Sequence, residues 1–156
     1  MLAIQDTAYG LVPICATPDG LRYLLILHNK GHWGFPKGHK DEGESDLETA
    51  CREFREEVGI DVYEILSEKV SFSETYRFVS KSGNEVHKTV KYFLARIPIG
   101  PEGALPNVTI QPEELADSRW CLFEEAEALI SFDAARGVLQ DCQRYLQDNP
   151  LELKTA

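Results

Sequence analysis

Short apolar runs bounded by turn residues alternate with stretches of helical period along this chain, a pattern that predicts a mixed α/β fold. Residues 9–16 (YGLVPICA) and 21–28 (LRYLLILH) are β-rich and flank Pro18-Asp19-Gly20, so they predict a hairpin. Residues 31–43 (GHWGFPKGHKDEG) hold too much glycine and proline for regular structure and predict a loop of the kind that carries function. A helix follows: Ser45 is a suitable N-cap, Glu48 completes a capping box, and Gly59 supplies the stop. Its apolar positions Leu47, Ala50, Cys51, Phe54 and Val58 form one stripe that should pack on a sheet. Residues 70–78 and 86–97 predict a second hairpin around Ser82-Gly83-Asn84, and 108–110 and 119–122 two short strands. From Phe123 the pattern turns helical, first over 124–130 (EEAEALI) and then over a longer stretch to Gln147, with Ala135, Val138, Leu139, Cys142 and Leu146 on one packed face and Asn149-Pro150 as the stop. The order predicts an α/β fold: a mixed β-sheet between helices.

At 156 residues the chain predicts a single domain, 1–156, large enough to bury a core without staples. The formal net charge of −10 repels phosphate backbones and anionic lipid, which argues against long nucleic acid and membrane as partners. An anionic substrate would need a local reversal of sign, and a divalent metal is the usual means. Cys15, Cys51, Cys121 and Cys142 share no metal-binding spacing and are expected as free thiols. The first ten residues lack the basic and apolar regions of a secretory signal, and no apolar run is long enough to span a bilayer. A cytoplasmic protein is expected; the oligomeric state stays open.

The segment 38–60 (GHKDEGESDLETACREFREEVGI) holds eight acidic residues against three basic ones. Glu53, Glu56 and Glu57 stand at i, i+3 and i+4, so they share a helix arc of about 100° away from the apolar stripe. Such like charges oppose helix formation unless something neutralises them. Carboxylate oxygens in this pattern suit Mg²⁺, or Mn²⁺, which can grip a diphosphate and make a bound water nucleophilic.

Gly38, Glu44 and the run Arg52-Glu53-Phe54-Arg55-Glu56-Glu57-Val58-Gly59-Ile60 match GX5EX7REUXEEXGU without departure, and so resemble the Nudix box. The resemblance implies a Nudix α/β/α sandwich and metal-dependent cleavage of a nucleoside diphosphate linked to another group. It also implies metal ligation by Glu53, Glu56, Glu57 and the Gly38 carbonyl, a carboxylate-orienting Arg52, and a supporting Glu44. Residues 32–39 (HWGFPKGH), Lys88-Thr89-Val90 with Tyr92-Phe93-Leu94-Ala95, and Arg119-Trp120 with Phe123-Glu124-Glu125-Ala126 resemble the asymmetrical diadenosine tetraphosphate hydrolases of the animal and bacterial type. The implied reaction is hydrolysis of diadenosine tetraphosphate, a dinucleoside polyphosphate, to ATP and AMP.

A polyphosphate bridge calls for cations beyond the metal, and Lys37, His39 and Lys88 are the candidates. Adenine calls for flat partners. Tyr76, Tyr92 and Phe78 are the candidates, whereas Trp33 and Trp120 are assigned to packing. The resemblance adds a further glutamate from outside the box: Glu114, six residues before Trp120, with Glu113 the alternative. Glu57 or Glu114 would orient or deprotonate the water. Other Nudix substrates remain open, namely capped RNA 5′ ends, diphosphoinositol polyphosphates and nucleoside triphosphates. A catalytically silent nucleotide sensor is disfavoured because every glutamate of the box is kept.

Overall fold

The computed structural model describes residues 3–153, so the single-domain expectation for 1–156 reaches at both ends beyond the described residues. Eight strands form one mixed sheet: β1 (Ile4–Thr17), β2 (Gly20–His28), β3 (Trp33–Gly34), β4 (Lys37–Gly38), β5 (Glu64–Ile65), β6 (Phe72–Val79), β7 (Glu85–Arg96) and β8 (Leu115–Leu122). The helices are α1 (Asp46–Val58), α2 (Phe123–Leu129) and α3 (Asp133–Asp148). The path β3-β2-β1-β7-β5 runs through the sheet, with β4 paired to β1, β6 to β7 and β8 to β2. Both predicted hairpins form, β1–β2 and β6–β7, each antiparallel. The central contact is the parallel pair β1–β7, in register from Ile4 opposite Val86 to Ile14 opposite Arg96.

Alternation along the central strands separates two cores. Leu11, Leu24, Ile26, Phe93 and Ala95 point to one face, where Ala50, Phe54 and Val58 of α1 cover them. Val12, Ile14, Tyr23, Leu25, Val90, Tyr92 and Leu94 point to the other, under Ala126, Val138, Leu139, Cys142 and Leu146 of α2 and α3. The expected mixed sheet with helices on both faces is therefore what forms. All four cysteines are free thiols; Cys51 is half-buried and the others are buried.

Three local expectations need correction. Residues 108–110 form no strand, because their hydrogen-bonding capacity goes to α1: the Thr109 N–H donates to the Val58 carbonyl and the Gln111 N–H to the Glu57 carbonyl, both at 3.0 Å. They satisfy carbonyls that a helix C-terminus leaves bare. β8 begins at Leu115 rather than Arg119, since pairing with β2 carries a polar, exposed stretch into the sheet. The glycine-rich loop is not wholly irregular, for β3 and β4 are two-residue rungs on β2 and β1.

The stripe of α1 is graded: Phe54 is fully buried, whereas Leu47 in the first turn is half-buried. Phe54→Ala should lower unfolding free energy by about 3–5 kcal/mol and Leu47→Ala by distinctly less, measured by urea denaturation. Equal losses would mean that α1 packs differently.

Candidate active site

The predicted capping box forms. The Ser45 hydroxyl accepts from the Glu48 N–H at 3.1 Å and the Glu48 carboxylate from the Ser45 N–H at 2.9 Å. This start fixes the rotation of α1 and sends Arg52, Glu53 and Glu56 towards the loop that follows β4. Arg52 is the hub there. Its Nε donates to Glu44 Oε2 at 2.6 Å and its other nitrogens to Glu44 Oε1, Glu53 Oε1, Glu56 Oε2 and the His39 carbonyl, at 2.8–3.2 Å. Glu44 also accepts from the Asp41 N–H at 2.8 Å and the Thr49 hydroxyl at 3.0 Å, so one carboxylate staples loop to helix. The Arg52 hydrogen bonds, with that from Asp41, push the Glu44 carboxyl down to about 2.

Gly38 lies directly against the Glu53 carboxylate, and a Cβ at this position would run into it. One turn further along α1, Glu57 is 1% exposed and neither of its carboxylate oxygens has a hydrogen-bond partner. Burial, then the charges of Glu53 and Glu114, push its carboxyl up to about 8. The Lys37 backbone N–H and ammonium work the other way without reaching hydrogen-bond geometry with it. Burial also raises the Glu53 carboxyl, against the pull of Arg52. Glu114 is exposed and far along the chain from α1, yet its charge is felt by both Glu53 and Glu57. It arrives there because the segment before β8 is tied to the end of α1 through Gln111. Glu113 is exposed and not felt in this way among the largest influences on either group.

An orphaned buried carboxylate, a second one half-screened, and a glycine cradle against it suit a hard divalent cation, which takes oxygen donors. Among the described residues no three His, Cys, Asp or Glu side chains are gathered into a finished coordination shell. Arg52 draws Glu53 and Glu56 to itself, so ligation would require those two side chains to turn from the guanidinium.

The expected cations lie beside the carboxylates. Lys37 is half-buried and makes no ion pair among the described residues; burial and the neighbouring Lys88 lower its ammonium pKa, against Glu74, Glu57 and Asp6. Lys88 is only 6% exposed and donates to Asp6 Oδ2 at 2.7 Å. His39 is exposed, with Nε2 3.0 Å from both Asp6 Oδ1 and Lys88 Nζ. Lys88 is thus held by a partner that the sequence reading did not single out.

A cavity of about 570 Å³ opens next to Lys37, between β6 and the start of α3. Exposure grows outward along one side of β6, from buried Glu74 through half-buried Tyr76 to Phe78, which is 43% exposed. Across the cavity stand His32 and the exposed Phe132, rings 5.3 Å apart, with His28 stacked on His32 at 4.3 Å. Burial, then His32 and Lys37, push the His28 imidazole down to about 4, which keeps this wall uncharged at neutral pH. Tyr76 and Phe78 do face one way, with ring centres 6.1 Å apart. Tyr92 is placed less openly than a stacking partner: it is 1% exposed, edge-on to Phe35, and donates its hydroxyl to Glu74 Oε1 at 2.9 Å. It forms the cavity floor. Trp33 lines the wall besides packing, while Trp120 packs on the α1 side and donates to the Pro106 carbonyl at 3.1 Å.

Asp6, Glu74, His28, His32 and Phe132 were not singled out from sequence. His32 sits inside a motif that was; Glu74 shares the strand face of Tyr76; nothing local marks Asp6 or Phe132.

Comparison with known proteins agrees with this geometry. A model of the NUDIX domain matches residues 8–142. The chain is 35% identical over 133 residues to the asymmetrical bis(5'-nucleosyl)-tetraphosphatase of Mus musculus, covering 83% of this chain and 84% of the mouse protein. It is 38% identical over 87 residues to an RNA pyrophosphohydrolase of a Nitratiruptor species, covering 52% and 53% of the two chains. The crystal structure of a C. elegans Ap4A hydrolase binary complex superposes with a TM-score of 0.76 at 26% identity, over 92% of this chain and 98% of that one. An intact box on an α1 that meets the sheet edge at Gly38, and a family match over most of the length, lead to one conclusion: the chain belongs to the Nudix hydrolase family.

Proposed function

We propose that this chain is a single-domain Nudix enzyme that hydrolyses diadenosine tetraphosphate to ATP and AMP. The observation that carries the reading is a juxtaposition: the α1 carboxylates and the aromatic cavity are neighbours, and Lys37 borders both. A phosphate chain can lie at the carboxylate end while a base enters the cavity, with Tyr76, Phe78 and Phe132 offering flat faces. The similarity to asymmetrical tetraphosphatases over four-fifths of the chain supports the same substrate. Capped RNA has less support, since the matching RNA pyrophosphohydrolases cover 52% to 64% of the chain and the net charge is −10. The free thiols fit a cytoplasmic enzyme, and among the described residues no helix is long and apolar enough to cross a membrane.

Nudix hydrolases work with divalent metal ions, here most simply Mg²⁺, with Mn²⁺ as the alternative. Glu53, Glu56, Glu57 and the Gly38 carbonyl, with Glu114 from outside the box, would hold the ion. When bound, it neutralises phosphate charge and lowers the pKa of coordinated water. The protein's own groups do the rest. Arg52 and Glu44 hold the glutamates and the loop in one frame. Lys37 and Lys88 contribute fixed positive charge along the bridge. Glu57 or Glu114 accepts the proton of the attacking water. The water oxygen bonds to the phosphorus next to one adenosine, giving AMP; the P–O bond from that phosphorus to the bridging oxygen breaks, and its electron pair stays on that oxygen, which leaves as the terminal oxygen of ATP.

Incubation with diadenosine tetraphosphate should yield ATP plus AMP with Mg²⁺ and nothing with EDTA, read by anion-exchange chromatography. Two ADP, or no turnover, would overturn the substrate assignment. Glu57→Gln should lower kcat at least about 100-fold. The same variant should be more stable than wild type in EDTA. Glu57 has a raised folded-state pKa, so its favourable contribution is complete below about 4.5 and is lost as pH rises through about 8. The variant's advantage in melting temperature should therefore be small at pH 5 and grow towards pH 8.5. A gap that stays flat with pH would mean that Glu57 is not buried as an unpartnered acid.

A further inference from the structure

We propose that Asp6 is a positioning residue for polyphosphate binding, acting through Lys88 and His39. This inference rests on the reading of the site as a polyphosphate hydrolase. The parallel pairing of β1 with β7 sets Asp6 directly opposite Lys88. Asp6 lies two residues before Ala8, and Lys88 two before Val90, so both side chains share the face that carries the cavity. The Asp6 carboxylate divides its oxygens: Oδ2 takes the Lys88 ammonium at 2.7 Å and Oδ1 meets His39 Nε2 at 3.0 Å. One carboxylate thus links two cation-capable side chains from separate elements, the long strand β7 and the loop leaving β4.

That link reaches further than its own length. His39 directly follows Gly38, which abuts Glu53, and its carbonyl is held by Arg52 at 2.8 Å. Lys37, on the other side of Gly38, makes no ion pair of its own among the described residues. The segment 37–39 is therefore pinned at one side to α1 and at the other to Asp6. Lys88 has almost no exposed surface, so without Asp6 its buried ammonium would lose its anion and turn outward or towards another acceptor. Asp6 sets the direction from which Lys88 and the 37–39 segment face the phosphates. A carboxylate beside a polyanion would otherwise be expected only to repel it, and this opposite sign makes the assignment testable.

The experiment is a double-mutant cycle of Asp6→Ala with Lys88→Met, with Asp6→Asn as the conservative variant, each checked to be folded at the assay temperature by its melting curve. Asp6→Ala should raise KM for diadenosine tetraphosphate roughly fivefold with kcat changed less than about twofold, and Asp6→Asn should recover part of the loss. In the Lys88→Met background, Asp6→Ala should have a clearly smaller effect than in wild type, because only its hold on His39 is left to lose. The same cycle is read without turnover by calorimetric titration of inorganic tripolyphosphate into protein in EDTA. An unchanged or lowered KM in Asp6→Ala, or two effects that simply multiply, overturns the assignment. Failure of the wild type to bind tripolyphosphate overturns it as well. A wild type that binds tripolyphosphate with the expected coupling, yet does not turn over diadenosine tetraphosphate, sinks the proposed substrate and leaves Asp6 in its role.

Discussion

The bidentate pairing of Arg52 with Glu44 is the contact on which the site depends. It joins the loop after β4 to the middle of α1, and both partners are largely withdrawn from water. Charge-assisted fork contacts are directional as well as strong, so this one fixes geometry and not merely distance. Everything else is measured from it: the Gly38 backbone comes to rest on Glu53, the His39 carbonyl on the guanidinium, and Glu57 beneath the Lys37 backbone. The capping box at Ser45 and the left-handed Gly59 (φ 69°) set the two ends of α1, so the helix cannot slide or turn against that loop. Gly59 cannot be replaced freely, since a Cβ there would press on Thr109, part of the segment that leads to Glu114.

The second constraint is electrostatic. A chain of net charge −10 that handles a polyanion must concentrate positive charge where the substrate lies. The lysines beside the carboxylates are placed inside rather than in surface patches. Lys37 and Lys88 are both withdrawn from solvent, near enough to each other for the Lys88 charge to lower the Lys37 pKa, and balanced by Asp6, Glu57 and Glu74. In a low-dielectric setting each such charge acts over a longer range than at the surface. Lys88 is paired with Asp6, whereas Lys37 has no ion pair among the described residues and Glu57 has no hydrogen-bond partner. The two bare oxygens of Glu57 are buried without partners among the described residues, a cost that a bound cation would remove.

What could be read from sequence follows from what is local. Capping, the stripe of α1 and both hairpins depend on residues within a few positions of one another, and all form as the pattern requires. The box was legible because its side chains and its supporting arginine lie on one helix and the loop before it. Residues 108–110 misled because three β-branched or apolar neighbours look like a strand wherever their hydrogen bonds go, and here they go to a helix end. Asp6 was invisible for a different reason. Its meaning comes from a parallel register between strands more than 70 positions apart, which no window along the chain contains. Phe132 likewise gains its place only when the start of α3 is carried across to His32.

The same distinction explains why chemistry was easier to infer than recognition. The box lies on one helix and the loop before it, so its residue types and spacing reveal it. The cavity is assembled from β2, β3, β6, β7 and the start of α3, elements that lie far apart along the chain. Tyr92 shows the consequence. As an aromatic on a strand it was a fair stacking candidate, but its strand is central, its ring is covered from both sides, and its hydroxyl is consumed by Glu74. The aromatics that stay open at the cavity are Phe78, on an edge strand, and Phe132, at a helix start. The aromatic cavity is therefore a product of strand order and sheet edges, whereas the carboxylate cluster of the box comes from one helix and the loop before it.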